Sequence, residues 1–296
     1  AEGLDALGYM RKHGAFLIEE ATYSKHEQEG WPTPSGKQEL YSPTMVEFGY
    51  PEHAIPHYRI RSHVHPDNLQ GEDEYCLLPN FRLPQHIHSR SANAKWLVEI
   101  GHRNPIWIHP KDAAKLGVAE GDLLKIETEI GWFVDKVWVT EGIKPGVVGC
   151  SHHIGRWRRA QDQGNRFLSN EVSIEDIGDG KKRMRTISGV GPWESEDPDT
   201  NRVWWRDGGV HQNITHAVQP DPISGAHCWL QKVRLSRPSA DEKYGDVEVD
   251  TEKSFEYYKR WNQMAKQRET HPRGERRPLW MKRPLSPKKE HWFIPE

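Results

Sequence analysis

The sequence predicts a mainly β fold with short helices, organised around a small closed barrel. Three observations predict it. First, residues 105–155 hold four short runs rich in apolar and β-branched residues: Ile106–Ile108, Leu123–Thr128, Phe133–Thr140 and Val147–Cys150. Runs of that length and composition read as strands. Second, only one short helical segment, Pro110 to Leu116, lies among them. That is too little helix for a layered α/β sheet and suits closure into a barrel. Third, 25 Gly and 21 Pro among 296 residues call for many turns and extended connections.

Composition excludes several classes. Hydrophobic residues make up 35% of the chain and the mean hydropathy is −0.87. No run approaches the ~20 apolar residues of a spanning helix. The net charge is −2, so the chain carries no global nucleic-acid signal. Cys76, Cys150 and Cys228 are far apart, with no Cys-x-x-Cys spacing from which to build an iron–sulfur or zinc site, and they read as buried free thiols. The 13 Trp suit interfaces and ligand clefts, where a large apolar ring also needs one polar contact. No signal peptide is visible, and the chain begins at Ala1 without Met, as a processed chain or a fragment would.

Taken in order, Leu4–Leu17 reads as an amphipathic helix interrupted by Gly8 and Gly14. The segment Thr33-Pro34-Ser35-Gly36-Lys37-Gln38-Glu39-Leu40-Tyr41-Ser42 reads as a tight turn at Gly36 feeding a strand with alternate burial. It is not a phosphate-binding Walker loop, because the upstream Gly is missing. His53, His57, His63 and His65 follow among prolines at irregular spacing, which argues against a metal site there. Tyr75–Pro79 is a short strand. It runs into Asn80 to Asn93, a loop holding Arg, Gln, His, Ser and Asn side chains suited to the amide edges of a heterocycle and to phosphate oxygens. Lys95–Ile100 is a further short strand or turn.

The organising stretch comes next. Pro110 stands at the first helical position, Asp112 lies in the first turn and Gly117 sits just past the end. Glu120-Gly121-Asp122 is a turn, Gly131 joins two strands, and Lys144-Pro145-Gly146 turns the chain into the last. Arg156, Arg158 and Arg159 follow His153; they form either an electropositive entrance or a solvated patch paired with acids. Residues 160–210 read as a polar, irregular insertion. Trp229 to Leu235 reads as a closing strand. Glu252–Gln267 reads as a helix whose Phe255, Tyr258, Trp261, Met264 and Ala265 form one packing stripe. Arg268–Glu290 holds eight Lys/Arg and four Pro, and with Trp280, Trp292 and Phe293 as anchors it reads as an extended strap on another polypeptide.

The run Pro105 … Pro110-Lys111-Asp112-Ala113 … Gly117 … Gly121-Asp122, then Gly142-Ile143-Lys144-Pro145-Gly146-Val147-Val148 and His152-His153-Ile154-Gly155, resembles the C-terminal molybdopterin-dinucleotide-binding domain of the dimethyl sulfoxide reductase (molybdopterin oxidoreductase) family. Ser35-Gly36-Lys37 with Glu39-Leu40, Gly208 to Thr215 and Asp221-Pro222-Ile223-Ser224-Gly225 add to it in the same order. The resemblance covers about residues 31–238. It implies a double-psi β-barrel, with a helical and extended C-terminal extension added to it. It implies that Arg82, His88, Ser89 and Ser91, then His153 and Gly155, then Gln212 and Asn213 contact the cofactor. The Gly that usually precedes the Arg is replaced here by Asn80-Phe81. The cofactor implied is molybdopterin guanine dinucleotide carrying molybdenum or tungsten. No catalytic residue and no direct metal ligand is expected from this chain.

The implied organisation is a leading segment 1–68, a cofactor barrel 69–238 with an insertion at 160–210, and a helix with a basic strap at 239–296. The implied function is the cofactor-holding C-terminal part of an oxidoreductase performing two-electron oxygen-atom or hydride transfer on a small anion. The family's catalytic front half, with its metal ligand and its iron–sulfur motif, is not recognisable in the chain. Expected partners are therefore a catalytic N-terminal portion or companion chain and an iron–sulfur electron-transfer subunit, with no nucleic acid. The expected setting is prokaryotic, in cytoplasm or periplasm, with any membrane attachment made through a partner. Two other readings stand beside it: a separate non-catalytic subunit that holds the dinucleotide, as the small subunit of formylmethanofuran dehydrogenases does, and an interaction or assembly barrel without cofactor.

Overall fold

The computed structural model describes residues 5–14, most of 23–57, 73–79, 103–162, 169–189, 208–217 and 229–264, with single positions such as Leu83, Ile87, His88 and Ala226 between them. The expected strand at Lys95–Ile100, the turn at Asp221 to Gly225 and the strap at Arg268–Glu290 lie outside the described residues, apart from Leu97. Two compact units are present, residues 59–266 and residues 1–58 with 267–296.

The larger unit is a closed barrel with a sheet running off one side. Its strands are β1 (Glu74–Leu78), β2 (Ile106–Ile108), β3 (Leu123–Glu127), β4 (Gly131–Val139), β5 (Val147–Gly149), β6 (Trp157–Arg159), β7 (Asn170–Gly178), β8 (Lys181–Ser188), β9 (Gln231–Ser236) and β10 (Val247–Asp250). Six of them form a ring in the order β2-β5-β1-β9-β3-β4, closed by pairing of β4 back onto β2. Two pairings are parallel, β1 with β5 and β2 with β4. They flank the antiparallel β2/β5 pair. The mainly β fold with a closed barrel is thus the one the sequence predicts.

The ring closes around its own side chains. Tyr75, Leu77, Ile106, Ile108, Leu124, Ile126, Phe133, Val137, Val148, Val233 and Leu235 are buried in one cluster. Along β3 and β9 buried residues alternate with more exposed ones, the period of two that a strand gives when one face meets a core. The helix Pro110–Leu116 bridges β2 and β3. His109 caps it by accepting the Lys111 N–H at 3.1 Å, and it ends on Gly117 in the left-handed region. Every element predicted between residues 105 and 150 is present to within one or two residues at its ends.

Beyond residue 150 the sequence reading needs three corrections. The stretch 160–210 is not irregular throughout. β7 and β8 form a long antiparallel hairpin, turned at Gly178-Asp179-Gly180, and β6 pairs in parallel on its outer edge. Second, the sheet does not finish at Pro238. β10 lies between β4 and β8, so residues 247–250 tie the hairpin to the barrel. Third, the C-terminal helix Thr251–Met264 is present, but Phe255 and Tyr258 of its expected packing stripe are exposed, while Ser254 and Tyr257 are its half-buried positions.

In the smaller unit the first helix spans Ala6–His13. Asp5 accepts the Gly8 N–H at 2.8 Å, and Gly14 ends the helix, its N–H donating to Met10. Gly14 is therefore a terminator rather than an interruption. The turn at Gly36 is found, with the Gly36 N–H on the Thr33 carbonyl at 3.1 Å. The strand expected after it is absent. Glu39 turns back to accept the Ser35 N–H at 3.0 Å, Leu40 and Tyr41 are exposed, and Pro43 opens a short helix, Pro43–Glu47.

Candidate cofactor site

Parallel strands β1 and β5 reach the same end of the barrel together, and the site is built where they run out. Past β5 the chain keeps alongside Leu78 and Pro79. Cys150 donates its N–H to the Leu78 carbonyl at 3.2 Å and His152 to the Pro79 carbonyl at 3.1 Å. The His152 ring repeats that contact, with Nδ1 at 2.7 Å from the Pro79 oxygen. This fixes the ring plane of a side chain only 6% exposed.

A second segment, residues 208–215, is fastened across the first. The Asn104 side-chain amide donates to the Ser151 carbonyl at 2.7 Å and to the Val210 carbonyl at 2.9 Å, and its oxygen accepts the Val210 N–H at 2.8 Å. Gly155 donates to the Gly208 carbonyl at 2.6 Å. Asn170 at the start of β7 accepts the Gly208 N–H and donates to the Gly209 carbonyl. The contact is so close that a Cβ on Gly155, which sits at φ +97°, would lie 2.4 Å from the Val210 oxygen. A Cβ on Gly209 would lie 2.4 Å from the Asn104 side-chain oxygen. Only glycine permits these approaches.

The two segments bound an open cleft of about 580 Å³. His88, His152, His153, Gly155, Arg156 and Asn213 line it, with His211, Trp157 and Ser169 on the far side. Arg156 is a permanent cation, and no carboxylate is among the described lining residues. Arg158 and Arg159 do not contribute. Arg158 is paired with Glu171 at 2.8 Å and Arg159 with Asp162 at 3.0 Å, so these two take the acid-paired alternative. Burial holds His211 below the ordinary imidazole range, opposed in part by a hydrogen bond to the Gly155 backbone. A neutral His211 thus faces the cleft at neutral pH. Cys150, beneath it, is fully buried, and desolvation with the nearby Asp135 charge pushes its thiol up, which makes it inert as a nucleophile.

Of the residues singled out in the sequence, His88, His153, Gly155 and Asn213 come together on this one cleft. Gln212 is fully buried under it, donating from its amide nitrogen to the Cys150 carbonyl at 2.7 Å. Its amide oxygen, and that of Asn213, are buried without a hydrogen-bond partner among the described residues. Such acceptors are costly unless something donates to them. Arg82, Ser89 and Ser91 lie outside the described residues. Sequence reasoning missed Asn104, His152, Asn170 and His211. For Asn104 there is no local signal, since its partner Val210 is 106 residues away.

Set against known proteins, residues 77–177 match the family model described as the Molydopterin dinucleotide binding domain. The chain is similar to the dopamine dehydroxylase of Eggerthella lenta, 32% identical over 129 residues, covering 42% of this chain and 12% of that protein. It is also similar to the arsenate respiratory reductase molybdopterin-containing subunit of Chrysiogenes arsenatis, 25% identical over 193 residues, covering 56% of this chain and 22% of that one. Among solved structures it matches acetylene hydratase from Pelobacter acetylenicus with a TM-score of 0.39 and 23% identity, over 53% of this chain and 23% of that one. The chain thus spans 12% to 22% of the length of these two curated relatives.

Proposed function

We propose that this chain, whose residues 77–177 match the model of the Molydopterin dinucleotide binding domain, is the cofactor-holding C-terminal part of a molybdopterin oxidoreductase. The cofactor is molybdopterin guanine dinucleotide carrying molybdenum, with tungsten as the other metal of this chemistry. When bound, it supplies the two-electron oxygen-atom or hydride transfer. The chain's own residues bind and orient it.

One observation carries the reading. The family-matched segment supplies His88, His153 and Gly155 to a single cleft, and a segment outside the match returns to complete it with Asn213. The donor set fits the group. A pterin and a guanine both present ring N–H and amino donors, and the cleft offers the Asn213 amide oxygen, which lacks a partner among the described residues. Imidazole N–H groups can donate to phosphate oxygens, and Arg156 supplies positive charge. That same charge supports a small anion as substrate. Since the chain covers only 12% to 22% of the length of these two relatives, the proposed remaining parts are a catalytic portion, in the same polypeptide or a companion chain, and an iron–sulfur electron-transfer subunit.

The test is purification under native conditions with every accompanying polypeptide. Molybdenum, tungsten and iron are measured by elemental analysis, and released guanine nucleotide by chromatography. The expected result is molybdenum or tungsten together with guanine nucleotide. A well-folded protein that holds neither, even after reconstitution with the cofactor, overturns the proposal.

A further inference from the structure

We propose that His88, His152 and His153 form a binding site for a divalent transition ion of the zinc class. Their ring centroids make a compact triangle, 4.9 Å from His88 to His152, 4.4 Å from His88 to His153 and 4.4 Å from His152 to His153. One ligand atom from each lies within 4.8 Å of the other two. Nitrogens around a tetrahedral ion with bonds of about 2.0–2.1 Å stand roughly 3.3 Å apart, so closure requires each ring to move by an ångström or less on average. His88, an exposed side chain, has that freedom; the two buried rings provide a fixed pair.

Two further features fit a metal site. The Pro79 carbonyl lies 2.7 Å from His152 Nδ1, the kind of outer hydrogen bond that ordinarily fixes the tautomer and ring orientation of a ligating imidazole. His88 is held at φ +45°, one of three non-glycine residues with positive φ among the described residues. Such a conformation is unfavourable for an L-residue and is retained where surroundings or function require it. The ligand set selects the ion. Three imidazoles, with no carboxylate among the described lining residues, suit Zn²⁺, Co²⁺, Ni²⁺ or Cu²⁺ and are poor ligands for Mg²⁺ or Ca²⁺. The fourth position opens to the cleft, where water completes the shell.

This site does not depend on the dinucleotide reading, and its test uses metal alone. The full chain is titrated with Co²⁺, following the visible bands of tetrahedral cobalt, and then with Zn²⁺ to displace it. One equivalent of tetrahedral Co²⁺ is expected, displaced by Zn²⁺. In His88→Ala, which alters an exposed side chain, affinity should fall by roughly 100-fold, the scale on which metal sites respond to loss of their supporting groups. His153→Ala should do the same. Should His153→Ala fail to fold, His88→Ala decides alone, together with imidazole nitrogen shifts of the unsubstituted chain on adding Zn²⁺. Absence of stoichiometric tetrahedral cobalt, or binding unchanged in His88→Ala, overturns the proposal.

Discussion

Replacing Gly155 with Ala strikes the crossing on which the cleft depends, and its cost can be worked from the structure. The added Cβ meets Val210 O at 2.4 Å, Val210 C at 2.6 Å and His211 N at 2.7 Å. All three are backbone atoms, so no side chain can rotate away. Residues 208–211 must retreat by nearly an ångström. That parts the Gly155 N–H from the Gly208 carbonyl, now 2.6 Å away, and leaves a buried donor unpaired at about 1–3 kcal/mol. Holding an L-residue at φ +97° adds about 1–2 kcal/mol. The expected loss is about 2–5 kcal/mol, or roughly 4–20 °C in Tm for a unit of this size. Gly178→Ala is the control. Gly178 sits at φ +87° with nothing within 4 Å of the added methyl group, so only the conformational cost of about 1–2 kcal/mol applies. Thermal melting of both variants, with guanine nucleotide retained on native purification, measures the difference. Equal melting temperatures for the two, or a Gly155→Ala protein that retains nucleotide like the unsubstituted chain, would refute the reasoning that this backbone crossing shapes the site.

Two other perturbations follow from the same geometry. Asn104→Ala removes three hydrogen bonds and leaves the Val210 N–H and two carbonyls buried, an expected loss of about 3–5 kcal/mol in urea unfolding; a loss under about 1 kcal/mol would show that the two segments hold together without it. His211 titrates lower folded than unfolded, so between its folded value and the unfolded value of 6.5 the unfolded chain binds more protons. Its contribution to stability is complete above the unfolded value and is lost as pH falls below it. Unfolding free energy should therefore drop more steeply for the unsubstituted chain than for His211→Gln between about pH 7 and pH 5.5, and identical slopes would contradict a buried neutral imidazole.

The parts of the fold legible in the sequence are those whose boundaries carry their own chemistry. Pro110 and Gly117 bracket a helix, and Gly131 and Pro145-Gly146 punctuate strands, so residues 105–150 were readable residue by residue. The hairpin β7–β8 had a signal that went unused: Asp179-Gly180, both at positive φ, is a two-residue hairpin turn. Its flanks are mostly charged and exposed, and the hairpin is tied to the barrel by pairing of β8 with the distant β10, which no local pattern announces. The strand expected after Gly36 failed for the opposite reason, a local pattern with no described neighbour to pair with. At the site, motif residues His153, Gly155 and Asn213 were legible. Asn104 and His211 were not, because their roles exist only once residues 150–155 and 208–213 cross.

The most direct measurement is the position of the dinucleotide in the cofactor-loaded protein, determined by crystallography on the natively purified enzyme. The dinucleotide is expected in the cleft between residues 150–155 and 208–213, with the Asn213 amide oxygen accepting from a pterin or guanine nitrogen and the His153 ring at the cofactor. A dinucleotide bound elsewhere, for instance in the polar pocket between Glu127, Lys232 and Tyr257, with the His153–Asn213 cleft holding only water, would contradict that expectation.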